Sequence, residues 1–329
     1  MDNWFALSDT EQKEVIAASS TQLALPDYAV EKDLWVTECL RQVFDLSFAG
    51  HLIFKGGTSL SKAWKVIDRF SEDIDLTIDY HYLGFTDEVN GNQLRKLRRR
   101  AQSFVREEFF PELSKKLQSY PFTITLEETS NSVKDPFKIF LEYNPLTEHT
   151  TYVLPKITLE IGGRSMQEPN TPRPIQSLIK EAFPGLAFLD GEFPVLVANV
   201  EKTFLDKLFL LHETFQCPPG QINIERMSRH LYDLVQISKT KYADLAISDL
   251  GLYKEIVTHR RVFTPIKDVD YDLHFPPNLN PIPPENLNTV WSEDYKKTKE
   301  QMIVGEAPGF SLLIKSIQNI TEKINNHGQ

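Results

Sequence analysis

Between Leu52 and Ile78 the pattern of apolar and polar positions changes period twice. Leu52-Ile53-Phe54 is an unbroken apolar run, Gly56-Gly57 interrupts it, and one helix-length interval follows. Arg69-Phe70-Ser71-Glu72-Asp73-Ile74-Asp75-Leu76-Thr77-Ile78 then closes in strict alternation. The pattern predicts strand, turn, short helix and second strand. Side chains on a strand point alternately to opposite faces, so Ile74, Leu76 and Ile78 share one face and Asp73, Asp75 and Thr77 the other. The apolar face is predicted to be buried. The acidic face holds two carboxylates about 7 Å apart along the backbone, from a rise of roughly 3.3 Å per residue.

Residues 8–45 read as two helices parted by Pro26, the first capped by Ser8 with Glu11 in the capping-box position. A long helix is predicted from Asn92 to Ser119, and strand chemistry returns at Phe122–Leu126, Phe137–Tyr143 and Lys156–Ile161. Past Pro169, Pro172 and Pro174 the pattern turns helical. That puts a domain change near residue 170, with residues 1–170 holding the N-terminal helices and sheet core and residues 171–329 a helical domain. In the second part Phe204, Leu208, Leu211 and Phe215 recur at helical spacing as a buried stripe. Prolines at 265, 276, 277, 281, 283 and 284 forbid regular helix over residues 265–284, a segment predicted to wrap over the surface. Helices are expected again from about Ser292 to Thr298 and from Gly309 to Asn325.

Two carboxylates as close as Asp73 and Asp75 repel one another unless a cation lies between them, and hard oxygen ligands suit a magnesium ion that also binds substrate phosphates. Gly56 and Gly57 lack a Cβ and let backbone N–H groups approach a ligand closely. Thr58 or Ser59 is expected to open the helix as N-cap, where free N–H groups and the positive dipole end favour phosphate. Ser59 or Ser71 can add a hydroxyl donor. The string is neither GxxxxGK[ST] nor GxGxxG. On the strand at 156–161 alternation sets Lys156, Thr158 and Glu160 on one face. Glu160 is a candidate third metal ligand or proton acceptor, and equally a solvated glutamate or a partner for Lys156.

Lys55-Gly56-Gly57-Thr58-Ser59-Leu60 followed by Arg69-Phe70-Ser71-Glu72-Asp73-Ile74-Asp75-Leu76 resembles the AbiEii/AbiGii toxin family of nucleotidyltransferases. Val30 to Val36, Thr203 to His212 and Ser228 to Leu234 are similar to further motifs of that family, with a weaker echo near Trp291 to Tyr295. The resemblance implies a nucleotidyltransferase-like α+β fold: a mixed β-sheet core flanked by helices, with a mainly helical C-terminal region. It also implies Mg2+-dependent transfer of a nucleotide from an NTP to an acceptor, in some members tRNA. Asp73 and Asp75 take the metal-ligand places, Lys207 that of the nucleotide-contacting lysine, and Asp233 that of the last carboxylate. Arg229 would orient Asp233 or contact phosphate, although four residues' spacing also suits a surface ion pair between the two. A growth-inhibiting role and a cognate antitoxin follow from the same likeness.

Charge and composition narrow the alternatives. The net charge of -10 argues against broad nonspecific binding of nucleic acid, which needs surplus cations. Arg95, Lys96, Arg98, Arg99 and Arg100 are the exception: a solvated helix face, or a contact for an RNA backbone centred on Arg95, Arg98 and Arg99. Cys39 and Cys217 stand far apart without a ligand-spaced partner, so neither a disulfide framework nor a zinc site is expected. His212 and His230 read as core or capping residues. No apolar run reaches the roughly 18 residues that cross a bilayer, and a cytoplasmic protein is expected. A protein or small-molecule acceptor and a noncatalytic binding module on the same fold remain the competing readings.

Overall fold

The computed structural model describes residues 2–71, 73–86, 90–131, 133–149 and 153–327. The chain forms two compact units, one of residues up to Ala63 with Phe70–Val197, the other of Trp64–Arg69 with the chain from Ala198 onward.

The first unit opens with α1 (Asp2–Phe5), α2 (Asp9–Leu23) and α3 (Asp27–Val43). The expected capping box at Ser8 and Glu11 starts α2, and Pro26 starts α3. There follow β1 (Leu52–Lys55), α4 (Gly56–Lys62), β2 (Asp73–Ile78), α5 (Gly91–Phe104) and α6 (Phe110–Lys116), the last two joined by one π-turn over Val105–Phe109. The unit is completed by β3 (Phe122–Leu126), β4 (Phe137–Tyr143), β5 (Lys156–Gly162), β6 (Asn170–Ile175), α7 (Leu178–Ala182) and β7 (Phe193–Ala198). All seven strands make one mixed sheet in the order β3-β4-β5-β2-β1-β7-β6. One face is apolar and closed: Ile74, Leu76, Ile78, Ile139, Leu141, Ile157, Leu159 and Ile161 are all buried. Gly163 lets α5 come close, since a Cβ there would lie 3.2 Å from the Ala101 methyl.

Two strands depart from expectation. Residues 170–175 were expected to lead into helix, yet they form β6, and β7 follows. Pro172 and Pro174 are tolerated because β6 is an edge strand, where a missing N–H breaks no interior ladder. The sheet therefore keeps residues 171–197 with the first unit, and the units part at Val197 and Ala198 rather than near residue 170.

The second unit contains α8 (Val200–Gln216), α9 (Ser228–Ser238), α10 (Lys241–Ser248), α11 (Leu250–Phe263), α12 (Asn288–Gln301) and α13 (Phe310–His327). Phe204, Leu208 and Leu211 of the predicted stripe are buried. The proline-rich segment is anchored by polar contacts. Glu213 accepts from Arg260 Nε at 2.8 Å and meets His274 Nε2 at 3.1 Å, while His212 Nδ1 accepts the Asn280 N–H at 2.9 Å. Burial, and then the neighbouring His274, push the His212 imidazole from 6.5 down to about 4. The unfolded imidazole takes a proton before the folded one does, so stability is full above pH 6.5 and falls as pH drops towards 4. Between pH 7 and pH 5 the expected loss from this residue is about 2 kcal/mol. Urea unfolding at the two pH values, compared between wild type and His212→Gln, measures it as the part of the difference that the variant loses.

Candidate functional site

Strand register builds the acidic face. Asp75 lies opposite Lys55 of β1 and opposite Glu160 of β5, and Glu160 lies opposite Lys138 of β4. Residues opposite one another in a ladder share a face. One row across the sheet therefore reads Lys55, Asp75, Glu160, Lys138, and the next row pairs Asp73 with Thr158 and Thr158 with Phe140. Asp73 and Asp75 are half-buried, while Ile74 and Leu76 between and beside them are sealed in the core. The alternation read from the sequence is the alternation of the sheet.

The glycine turn meets this face directly. Gly56 has φ +80°, and a Cβ on it would fall 2.1 Å from Asp75 Oδ2. Gly56→Ala should therefore displace the Asp75 carboxylate and strain the backbone, at a cost of about 1–2 kcal/mol for the left-handed conformation. Thermal melting checks the stability loss, and loss of nucleotidyl transfer checks the displaced carboxylate.

The helix start differs from expectation. α4 begins at Gly56 itself, with Lys55 as N-cap and no side-chain cap bond, so neither Thr58 nor Ser59 is the cap. Both hydroxyls are buried inside the first turn. Thr58 Oγ1 donates to Asp73 O at 2.5 Å and accepts from the Ser71 hydroxyl at 2.9 Å, and Ser59 Oγ donates to Gly56 O at 2.9 Å. These hydroxyls stitch α4 to the start of β2 and to its own turn. Ser71, half-buried, is held in the same stitch. At the far end of α4, Lys62 Nζ bonds Asp33 Oδ1 at 2.6 Å, which ties the helix to α3 within the Val30 to Val36 segment.

Glu160 stands on the acidic face as read, but its partner is Lys138, at 2.5 Å from Oε1, and not Lys156. Lys156 instead lies over the Phe140 ring, 3.8 Å from its centroid. Burial would lower the Lys138 ammonium, yet Glu160, Asp73 and Glu127 together hold its proton more firmly than usual. Among the described residues no group of three or more His, Cys, Asp or Glu side chains could hold a metal ion. A two-carboxylate set of hard oxygens beside the glycine turn still fits magnesium, which takes one or two carboxylates and fills its other positions with water and phosphate. On α5, Arg95, Lys96 and Arg99 are exposed. Arg98 is half-buried, its pKa lowered by burial and by Arg164.

The second unit holds a separate charged set. Asp233 on α9 is fully buried and accepts from Arg69 through both oxygens, Nε at 2.6 Å and Nη2 at 2.8 Å. Lys207 Nζ on α8 lies 2.9 Å from Asp233 Oδ2 and 3.2 Å from His230 Nδ1. An ammonium only donates, so His230 Nδ1 accepts and the ring proton sits on Nε2. Burial would raise the Asp233 carboxyl, but the Arg69 guanidinium and Lys207 ammonium hold it below the usual carboxylate range. Burial lowers Lys207, with Asp233 opposing, and holds His230 well below its ordinary value with help from Lys207. Arg229 does not pair with Asp233, and its Nε is buried without a hydrogen-bond partner. Asp294, within the Trp291 to Tyr295 segment, accepts the N–H groups of Arg226 and Ser228 at 2.7 and 2.9 Å and so fixes the start of α9.

Arg69 is the residue that sequence reasoning passed over. It stands in the same string as Asp73, but an isolated arginine carries no periodic signal, and only folding shows its guanidinium to be 1% exposed. Lys138 was missed for a similar reason: its significance depends on a register between strands that local pattern does not contain.

Set against known proteins, residues 38–323 match the model of a family described as "Nucleotidyl transferase AbiEii toxin, Type IV TA system". No curated protein matches the chain. JHP933 from Helicobacter pylori is similar over 92% of this chain and 94% of its own, at 14% identity and a TM-score of 0.47. MenT4, nucleotidyltransferase toxin Rv2826c from Mycobacterium tuberculosis H37Rv, is similar over 95% of this chain and 97% of its own, at 15% identity and a TM-score of 0.45.

Proposed function

From the premise that this chain belongs to the AbiEii nucleotidyl transferase toxin family, we propose that the sheet face of Asp73 and Asp75 transfers a nucleotide from an NTP to tRNA with magnesium. The observation that carries the reading is the meeting of Asp75 with the Gly56 turn, where a Cβ would fall 2.1 Å from the carboxylate. A phosphate-cradling bend and a metal-ligating strand are then parts of one face. Asp73 and Asp75 would hold the ion. The bound ion would supply positive charge to the phosphates and would make an attacking hydroxyl more acidic.

The chain's own part is positioning and charge. Gly56, at φ +80° and without a Cβ, lets the turn lie directly against the Asp75 carboxylate. Thr58 and Ser71 keep the turn and the acidic strand in fixed relation rather than touching substrate. In the second unit, Asp233 and His230 hold the Lys207 ammonium, and the Arg229 Nε is buried without a hydrogen-bond partner. Arg95 and Arg99, exposed on α5, are the proposed contacts for the tRNA backbone, while Arg98 is half-buried. A reaction on NTP and tRNA belongs in the cytoplasm. Among the described residues no helix is long and apolar enough to cross a membrane. The family's place in toxin–antitoxin systems gives the activity a growth-inhibiting purpose and a cognate antitoxin.

The test is incubation with each α-labelled NTP, total tRNA and lysate protein, with magnesium or with chelator. Label is expected in tRNA and only with the ion present. Transfer that persists after chelation overturns the metal assignment, and label in protein or in a small molecule replaces the acceptor.

A further inference from the structure

Lys138 belongs to no motif of the family resemblance, yet register puts it on the acidic face. The row Lys55, Asp75, Glu160, Lys138 has a lysine at each end and two carboxylates between them. Neighbouring strands lie about 4.8 Å apart. A lysine stem can span one such interval, and Lys138 does so towards β2: its Nζ stands 2.5 Å from Glu160 Oε1, on the strand next to Asp73 and Asp75. Asp73 contributes to the field on that ammonium together with Glu160. The side chains of Lys138 and Glu160 are 33% and 24% exposed, so solvent and solutes reach the pair.

Charge then decides what the pair is for. A triphosphate is strongly anionic and cannot approach Asp73, Asp75 and Glu160 together without cations between them. Magnesium supplies part of that charge. The ammonium already on the face supplies more, and a half-exposed lysine is free to rotate to a new partner, as a compact, flexible point charge does. Glu160 meanwhile has its ammonium partner and stands in no cluster of three potential metal ligands among the described residues.

We propose that Lys138 is a nucleotide-binding residue of this site: Glu160 holds its ammonium beside Asp73 and Asp75 in the free chain, and the ammonium passes to the triphosphate oxygens when an NTP arrives. Glu160 is thus the positioning residue for Lys138 and not a third metal ligand. Asp73 and Asp75 keep the ion by themselves. The assignment rests on the nucleotidyl transfer reading above, and it changes the role first given to Glu160.

Two binding measurements on the whole chain separate the possibilities. Mn2+ binding is followed by electron paramagnetic resonance, and a non-hydrolysable NTP analogue with Mg2+ is followed by equilibrium dialysis. Wild type is compared with Lys138→Met, Lys138→Arg, Glu160→Gln and Asp73→Asn, each confirmed folded by circular dichroism. Lys138→Met should weaken the analogue about tenfold or more and leave Mn2+ affinity unchanged or tighter, and Lys138→Arg should restore most of the loss. Glu160→Gln should keep Mn2+ affinity within about threefold, because it loses a counter-ion and not a ligand. Its affinity for the analogue should fall, but by less than that of Lys138→Met, since the ammonium remains and is only no longer held in place. Wild-type analogue affinity in Lys138→Met overturns the proposal, as does a loss of Mn2+ in Glu160→Gln equal to that in Asp73→Asn. If Asp73→Asn itself binds Mn2+ and analogue like wild type, the nucleotidyl transfer reading fails and this inference falls with it. If Asp73→Asn loses both while Lys138→Met loses neither, only the inference fails.

Discussion

Asp233→Ala is expected to destabilise the second unit by about 3–5 kcal/mol, because removing one partner of a buried ion pair strands the other. Here two cations lose their shared carboxylate. Arg69 is 1% exposed and Lys207 7%, and both point their charge at the lost carboxylate, Arg69 through two parallel bonds of 2.6 and 2.8 Å. Lys207 can escape by releasing its proton, since burial already lowers its pKa. Arg69 cannot, because a guanidinium stays charged at any working pH. Hydrogen exchange of the α9 amides reads this unit by itself, and protection within about 1 kcal/mol of wild type would refute the account. Adding Arg69→Met and Lys207→Met to Asp233→Ala should recover much of the loss by removing the two cations. Wild-type stability should also depend on acid. The folded Asp233 carboxyl lies below its ordinary 3.8, so its contribution is full above that pH and declines as pH falls further, where the unfolded chain takes the proton first.

Asp73→Asn or Asp75→Asn is expected to lower nucleotidyl transfer by at least about a thousandfold while leaving the fold intact. A bound ion contributes several kcal/mol of charge stabilisation, and about 4 kcal/mol corresponds to that factor. The two carboxylates are half-buried like charges on one strand, and the core beneath them is made by Ile74, Leu76 and Ile78. Each variant retains the shape of its side chain, so the turn at Gly56 still has room. The measurement is label transfer from an NTP beside thermal melting of the same preparation. A variant that melts like wild type and keeps its rate within tenfold would remove the residue from the metal site.

Much of the first unit was legible because its signals are local. The capping box at Ser8, the alternation of Asp73 to Ile78 and the strand at 156–161 each follow from neighbouring residues. The misreadings share a cause as well. Pro172 and Pro174 look like strand breakers until one knows that β6 lies at the sheet's edge. Thr58 and Ser59 have the chemistry of caps, but Gly56 can adopt a positive φ and start the helix two residues earlier. Their hydroxyls then have backbone and Ser71 partners within the fold.

Pairing between distant residues separates what the chain alone determined from what folding decided. Sequence by itself established the order of strand, turn, helix and acidic strand, the two-faced character of β2, and the family whose motifs it carries, because period and short motifs are properties of adjacent residues. Tertiary structure decided that Asp233 answers Arg69 and Lys207 and not Arg229, that Glu160 faces Lys138 and not Lys156, and that Asp75 rests against Gly56. Ionic partners 22 to 164 positions apart are chosen by strand register and helix packing, and charge alone makes every lysine an equal candidate for every carboxylate.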